Sequence, residues 1–131
     1  MLFEAIKHAR SFGNVMVTSL GKIDNPDMIG EVADLFLRED NTDWTMCTGI
    51  FGESLLISLR TTSYDVDAEK VIRRVVSRLG TGGGHRTLAG GQIPLKCKSA
   101  SDIGKIEKIL TERLLKKLKA DGVKGMDLLK R

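Results

Sequence analysis

The residues with the most chemical content lie at positions 80–91, Gly80-Thr81-Gly82-Gly83-Gly84-His85-Arg86-Thr87-Leu88-Ala89-Gly90-Gly91, which place six of the chain's 14 glycines beside a histidine and an arginine. Glycine lets backbone N–H groups turn toward a ligand at φ values other residues avoid, and a helix starting near His85 would add its positive end. The segment therefore reads as an anion cradle, with phosphate as its guest. Glycines also make turns and allow close helix–strand packing, but a turn needs neither His85 nor Arg86. Two common phosphate signatures do not fit. A P-loop requires Gly-Lys-Ser/Thr after its first glycine, and the dinucleotide fingerprint needs a third glycine where this chain has His85 or Thr87.

A second anion-binding group is Arg60. In the predicted strand over residues 55–60, Leu55, Ile57 and Leu59 share one face, while Leu56, Ser58 and Arg60 share the other. Arg60 then leaves the sheet on a face that already carries a hydroxyl. A helix predicted to run back along the sheet brings Arg60 and the glycine segment to one edge. The planar guanidinium would grip a phosphate, loop N–H groups would bind its remaining oxygens, and His85 would donate a hydrogen bond, with Arg86 beside it. Ser58, Thr61 and Thr62 lie within reach, though strand and cap chemistry accounts for each. Groups for bond cleavage are harder to find. The chain has 2 histidines, its acids lie mainly at helix caps or on helix faces, and neither Cys47 nor Cys97 has a histidine near it in sequence. No catalytic residue and no metal-ligand set is assigned.

The elements that position these groups belong to one domain, since 131 residues can bury a core without staples. Two cysteines without a second pair argue against a disulfide scaffold or a zinc site and for a reducing compartment. With no signal peptide and no membrane span in view, a cytoplasmic location is expected. A net charge of +4 and a pI of about 9.2 favour a polyanionic partner without requiring one.

Along the chain, Ala5, Ile6, Ala9 and Phe12 follow helical spacing, with Gly13 placed to end the helix. A buried strand is expected at 14–20. Asn25-Pro26-Asp27 starts a helix with the core stripe Met28, Ile29, Val32, Ala33 and Phe36. Strands at 44–51 and 55–60 form a hairpin through Gly52-Glu53-Ser54. A helix at 66–79, capped by Asp65 or Asp67, turns Val71, Ile72, Val75 and Val76 inward. A short helix at 85–89 closed by Gly90, an edge strand at 92–97 containing Pro94, and a helix capped by Ser99 or Ser101 complete the body. That last helix has the stripe Ile103, Ile106, Ile109, Leu110, Leu114 and Leu118. Its other face carries Lys105, Lys108, Arg113, Lys116, Lys117 and Lys119 against Glu107 and Glu112. A solvated basic face accounts for this pattern, and contact with a nucleic-acid backbone is the alternative. The tail from Asp121 to Arg131 has no firm period, and Val123, Met126, Leu128 and Leu129 could dock on the body. The fold class is α/β, a mixed β-sheet of four or five strands with helices packed on it.

Ile57-Ser58-Leu59-Arg60-Thr61, Val66-Asp67-Ala68, and Gly82-Gly83-Gly84-His85 with Ala89-Gly90 downstream resemble the DHH-associated domain of RecJ-like and oligoribonuclease-type DHH phosphoesterases. The resemblance covers most of the chain, from the strand at Asn14 to the edge strand at Gln92, and places the domain at residues 13–120, with residues 1–12 as a linker-like helix and 121–131 as a tail. It implies the C-terminal lobe of a two-lobe enzyme, in which the strand arginine and the Gly-Gly-Gly-His segment hold a nucleotide or terminal phosphate against a metal centre in the other lobe. Those roles fall on Arg60, Gly82, Gly83, Gly84 and His85, with Arg86 adjacent and Ala89 and Gly90 shaping the exit. The family's Asp-His-His motif, which binds manganese or a similar divalent metal, does not occur in this sequence. Hydrolysis is therefore expected only with an N-terminal DHH lobe, in the same or a separate chain, and an opening helix without a cap would fit a cut within an interlobe linker. Expected partners are that lobe, a short nucleic acid or nucleotide phosphate, and a second copy in a homodimer. Two other readings stand beside it: a stand-alone nucleic-acid-binding module, in which the basic last helix binds and the glycine segment is architectural, and a regulatory module for a signalling nucleotide, which shares the loop chemistry.

Overall fold

The computed structural model describes residues 2–118 and 126–127. In chain order the elements are α1 (Leu2–His8), β1 (Arg10–Phe12), β2 (Val15–Lys22), α2 (Met28–Leu37), β3 (Trp44–Phe51), β4 (Ser54–Thr61), α3 (Ala68–Val75), β5 (Thr81–Gly84), β6 (Leu88–Pro94), α4 (Ala100–Lys117) and β7 (Met126–Asp127). The seven strands form one sheet in the order β5-β6-β4-β3-β2-β1-β7. Only β2 and β3, joined across α2, run parallel; the remaining pairs are antiparallel.

Helices cover both faces because the strands alternate two apolar sets. Phe12, Val15, Trp44, Met46, Leu55, Ile57, Leu59, Ala89 and Ile93 pack with Val71, Ile72, Val75 and Val76 of α3 and Leu110, Leu114 and Leu115 of α4. On the opposite face Met16, Leu20 and Cys47 meet Ile29, Val32, Ala33 and Phe36 of α2, with Ala5 of α1 and Ala9 just after it. Burial raises the Cys47 thiol to about 12, an effect that the nearby Glu107 carboxylate reinforces. Cys47 and Cys97 are both free. Among the described residues no helix is long and apolar enough to cross a membrane.

The expected fold class holds, with a larger sheet. The opening helix stops at His8, and Phe12 lies instead in β1, whose hairpin to β2 turns at Gly13 with φ +64°. Three residues are too few for alternation to declare a strand, so helical spacing mimicked it. No helix forms at 85–89. The glycine segment is a β-hairpin of β5 and β6, and Pro94 ends β6 beyond β5, whose pairing stops at Thr81 opposite Gln92. β6 is therefore internal, and the missing proline N–H breaks no ladder bond with β5. Asp67 caps α3, accepting from the Glu69 amide at 2.9 Å. Ser99 caps α4 in a reciprocal box with Asp102, whose carboxyl is held below its usual range by the Ser99 backbone and hydroxyl bonds. In α4, Leu115 joins the core while Ile109 stays exposed. Lys119 and the tail residues Val123, Leu128 and Leu129 lie outside the described residues, and of Met126 only its strand pairing with Ser11 is described.

Candidate functional site

Strand register decides which glycines meet a ligand. β4, β6 and β5 align Ser58 with Gly90 and Gly90 with Gly83, while Arg60 lies opposite Leu88. Directly paired residues share a face, so Ser58, Arg60, Gly83 and Gly90 point to the α2 side of the sheet. The next row, Ile57, Gly91 and Gly82, points to α3. There a Cβ on Gly82 would sit 3.2 Å from Ile72 Cγ1 and Val76 Cγ2, and one on Gly91 2.9 Å from Val76 Cγ1. A Cβ on Gly83 would meet nothing within 4 Å. α2 packs over β2, β3 and β4 and leaves the glycine hairpin bare on its side.

The uncovered strip makes a cleft of two adjoining hollows that share Ile29, Ile57 and Gly90. One, of about 250 Å³, is lined by the first turn of α2 through Asp27 and Gly30, by Ser58 and Arg60, and by Ala89 and Gly90. The other, of about 450 Å³, lies over Thr81, Gly82, Gly83, Gly91 and Gln92.

Donors converge on the smaller hollow. Arg60 gives its Nε to Asp34 Oδ1 at 3.0 Å and its Nη1 to the Leu59 carbonyl at 3.4 Å. Its Nη2 lies against Gly30, where a Cβ would be only 2.6 Å away. A helix-interior glycine is thus the space in which the guanidinium lies. Ser58 is 3% exposed, and its Oγ is buried without a hydrogen-bond partner. Such an orphan costs about 1–3 kcal/mol until something occupies it. Asn25 Oδ1 accepts from the Asp27 amide at 2.9 Å, and the Asn25 carbonyl from Met28, which leaves the Ile29 and Gly30 amides as first-turn donors with no acceptor among the described residues. The positive helix end at the cleft belongs to α2, not to a helix at His85. Among the described residues Asp27 supplies the one carboxylate that lines this hollow.

His85 and Arg86 stand apart from the hollows, in the β5–β6 turn. The His85 amide donates to the Leu88 carbonyl at 2.7 Å and its side chain is exposed. Gly84, at φ +148°, leaves no room for a Cβ against the Leu88 carbonyl, so this turn requires glycine. The Arg86 carbonyl accepts from the Ala68 amide at 2.7 Å, tying the turn to the start of α3. Its Nη2 donates to the Tyr64 carbonyl, and the guanidinium lies 5.9 Å from the Tyr64 ring centroid. Tyr64 is 69% exposed, an aromatic platform beside the β5–β6 turn that aromatic composition alone does not reveal. Ala89 is fully buried in the α3-side core.

The structure thus brings together Arg60, Gly83 and Gly90, turns Gly82 toward α3, and places His85 and Arg86 in the turn beyond. Gly30, Asp34 and the start of α2 enter the site without having been singled out. Gly30 carried a readable signal, since a glycine inside a helical stripe asks for a packing reason. Among the described residues no three of His, Cys, Asp and Glu gather to hold a metal ion, so the residues of this cleft do not fit a metal centre.

The model of the DHHA1 domain matches residues 12–119. An uncharacterized protein of Methanocaldococcus jannaschii is 31% identical over 107 residues, covering 81% of this chain, which spans 22% of that relative's length. The exonuclease RecJ bound to manganese matches the fold with a TM-score of 0.64 at 16% identity, over 100% of this chain and 29% of that one. The C-Ala domain of Aquifex aeolicus alanyl-tRNA synthetase matches with a TM-score of 0.56 at 21% identity, over 79% of this chain and 97% of that one.

Proposed function

The chain belongs to the DHHA1 domain family, and on that footing we propose that its α2-side cleft is the substrate-binding half of a phosphoesterase, holding the phosphate end of a nucleotide or short oligonucleotide. The observation that carries this reading is the buried, unpartnered Ser58 hydroxyl beside Arg60 Nη2 and the open first turn of α2. Donors that satisfy nothing within the protein are preorganised for an anion.

A phosphate oxygen in the smaller hollow would accept from Arg60, Ser58 and the Ile29 and Gly30 amides. Asp27, an acceptor among donors, suits a sugar hydroxyl next to that phosphate and disfavours a bare polyphosphate. Gly83 and Gly90 let the ligand approach the sheet backbone, since no side chain rises from either. His85, at the turn, would meet a second phosphate oxygen or the partner lobe, and Tyr64 with Arg86 offers a face for a base. Bond cleavage falls to an N-terminal DHH lobe, in the same or a separate chain, with a divalent metal such as manganese; this chain binds and orients.

Calorimetric titration with a mononucleotide tests the reading. Arg60→Ala is expected to weaken binding by about a hundredfold, the loss of a charged hydrogen bond of about 2–3 kcal/mol, and His85→Ala by less. Unchanged affinity in both variants would overturn it. The chain alone is expected to release no product from a short oligonucleotide in manganese, and turnover by a clean preparation would show that cleavage resides here.

A further inference from the structure

The C-terminal turns of α3 and α4 meet around a shallow groove of about 900 Å³ lined by Arg74, Ser77, Arg78, Arg113, Lys116 and Lys117. It lies at the far end of α3 from the His85–Arg86 turn of the glycine hairpin, which is tied to that helix's first turn through Ala68 and Arg86. Among the described residues that line it, five of the six are cations and none is an acid. The chain as a whole carries +4, so removing the groove's five charges leaves the rest at −1.

Cations near helix C-termini complement the dipole, but each end carries only about half a charge. Arg113 already serves it, its Nη1 donating to the Val75 carbonyl at 3.0 Å and the Ser77 carbonyl at 2.8 Å. The other four cations form no ion pair among the described residues, whereas Arg73, a neighbour on α3, pairs with Glu69 at 2.9 Å. Arg78 is held at φ +64°, a left-handed conformation costing a branched or long side chain about 1–2 kcal/mol, where glycine would be easier. Among the described residues no apolar or aromatic side chain lines the groove, so these offer neither an anchor pocket for a protein nor a stacking surface for a base.

We infer that this groove is a second anion site that holds the sugar–phosphate backbone of a nucleic-acid strand without reading its sequence. The inference is independent of what occupies the α2-side cleft, because no residue is shared between them. Its test is the salt dependence of binding to a 3′-labelled oligothymidylate, followed by fluorescence anisotropy, for the unaltered chain and for a variant combining Arg74→Gln, Arg78→Gly and Lys117→Gln. Arg113 is kept because it caps α3, and Arg78→Gly relieves backbone strain, so the variant should melt no lower than the parent. Each phosphate contact to a single strand contributes about 0.7 to the slope of log K against log salt, so the variant's slope should fall by about 2, with at least a tenfold loss of affinity at low salt. Its mononucleotide binding should stay unchanged. Arg60→Ala should do the reverse, losing most mononucleotide affinity while lowering the slope by no more than the roughly 0.7 of one phosphate contact, so failure of the cleft reading would leave this result standing. An unchanged slope in the triple variant, absence of salt-dependent strand binding by the parent, or equal displacement of the strand by polyglutamate would each overturn the inference.

Discussion

The two faces of the glycine hairpin put the same residue to opposite uses. On the α3 side Gly91 and Gly82 lie under Val76 and Ile72, where hydrogen is the largest substituent the packed helix accepts without shifting. On the α2 side Gly83 and Gly90 carry no helix, and the space above them is the cleft. One face needs glycine for close packing; the other leaves backbone open to a ligand. The lesson is that a glycine-rich run divides by strand parity, and only half of it has room for a side chain on the cleft side.

Substitutions on the two faces should separate stability from binding. The largest effect is expected from Gly91→Val. Valine suits a strand, but its Cβ would press on Val76 in a filled core, costing about 3 kcal/mol and lowering Tm by roughly 10 °C in a thermal melt. Equal stability with the parent would show that α3 can lift away. Gly83→Val should leave stability within about 0.5 kcal/mol while weakening mononucleotide binding about tenfold, and a loss of Tm instead would erase the distinction between the faces. Ser58→Ala sharpens the contrast through opposite signs. Removing an unsatisfied buried hydroxyl should stabilise the free protein by about 1 kcal/mol and weaken nucleotide binding severalfold, read by denaturant unfolding and calorimetry. The smallest effect is expected from Gly30→Ala. Alanine favours the helix by about 0.5–1 kcal/mol, yet its methyl group must displace Arg60 Nη2, so binding should fall although stability rises.

Much of the frame was legible because long amphipathic segments announce themselves. The α2 stripe, the β3–β4 hairpin, and Val71, Ile72, Val75 and Val76 of α3 follow from periodicity. The alternation in β4 already placed Arg60 and Ser58 together. What escaped has physical causes. β1 and β7 are too short to carry a period, and glycine has no side chain to declare a face, so β5 and the start of β6 read as a loop. Glu107 was expected on the outer face of α4, yet it accepts from the Thr48 hydroxyl at 2.6 Å, a contact across 59 residues that no local pattern contains.

The sequence by itself determined the α/β class, the inward stripes, the face of Arg60, and the resemblance carried by Ser58, Arg60 and the Gly-Gly-Gly-His run. Tertiary structure alone decided that the run is a hairpin, that Gly83 and Gly90 open onto the cleft while Gly82 and Gly91 close on α3, and that α2 supplies the positive helix end. It also gathered Arg74 and Arg78 with Arg113, Lys116 and Lys117. The reason is common to all of these. Periodicity records which way a side chain points from its own element, whereas a site depends on which elements stop short of covering one another, and that is set by register and packing between segments distant in sequence.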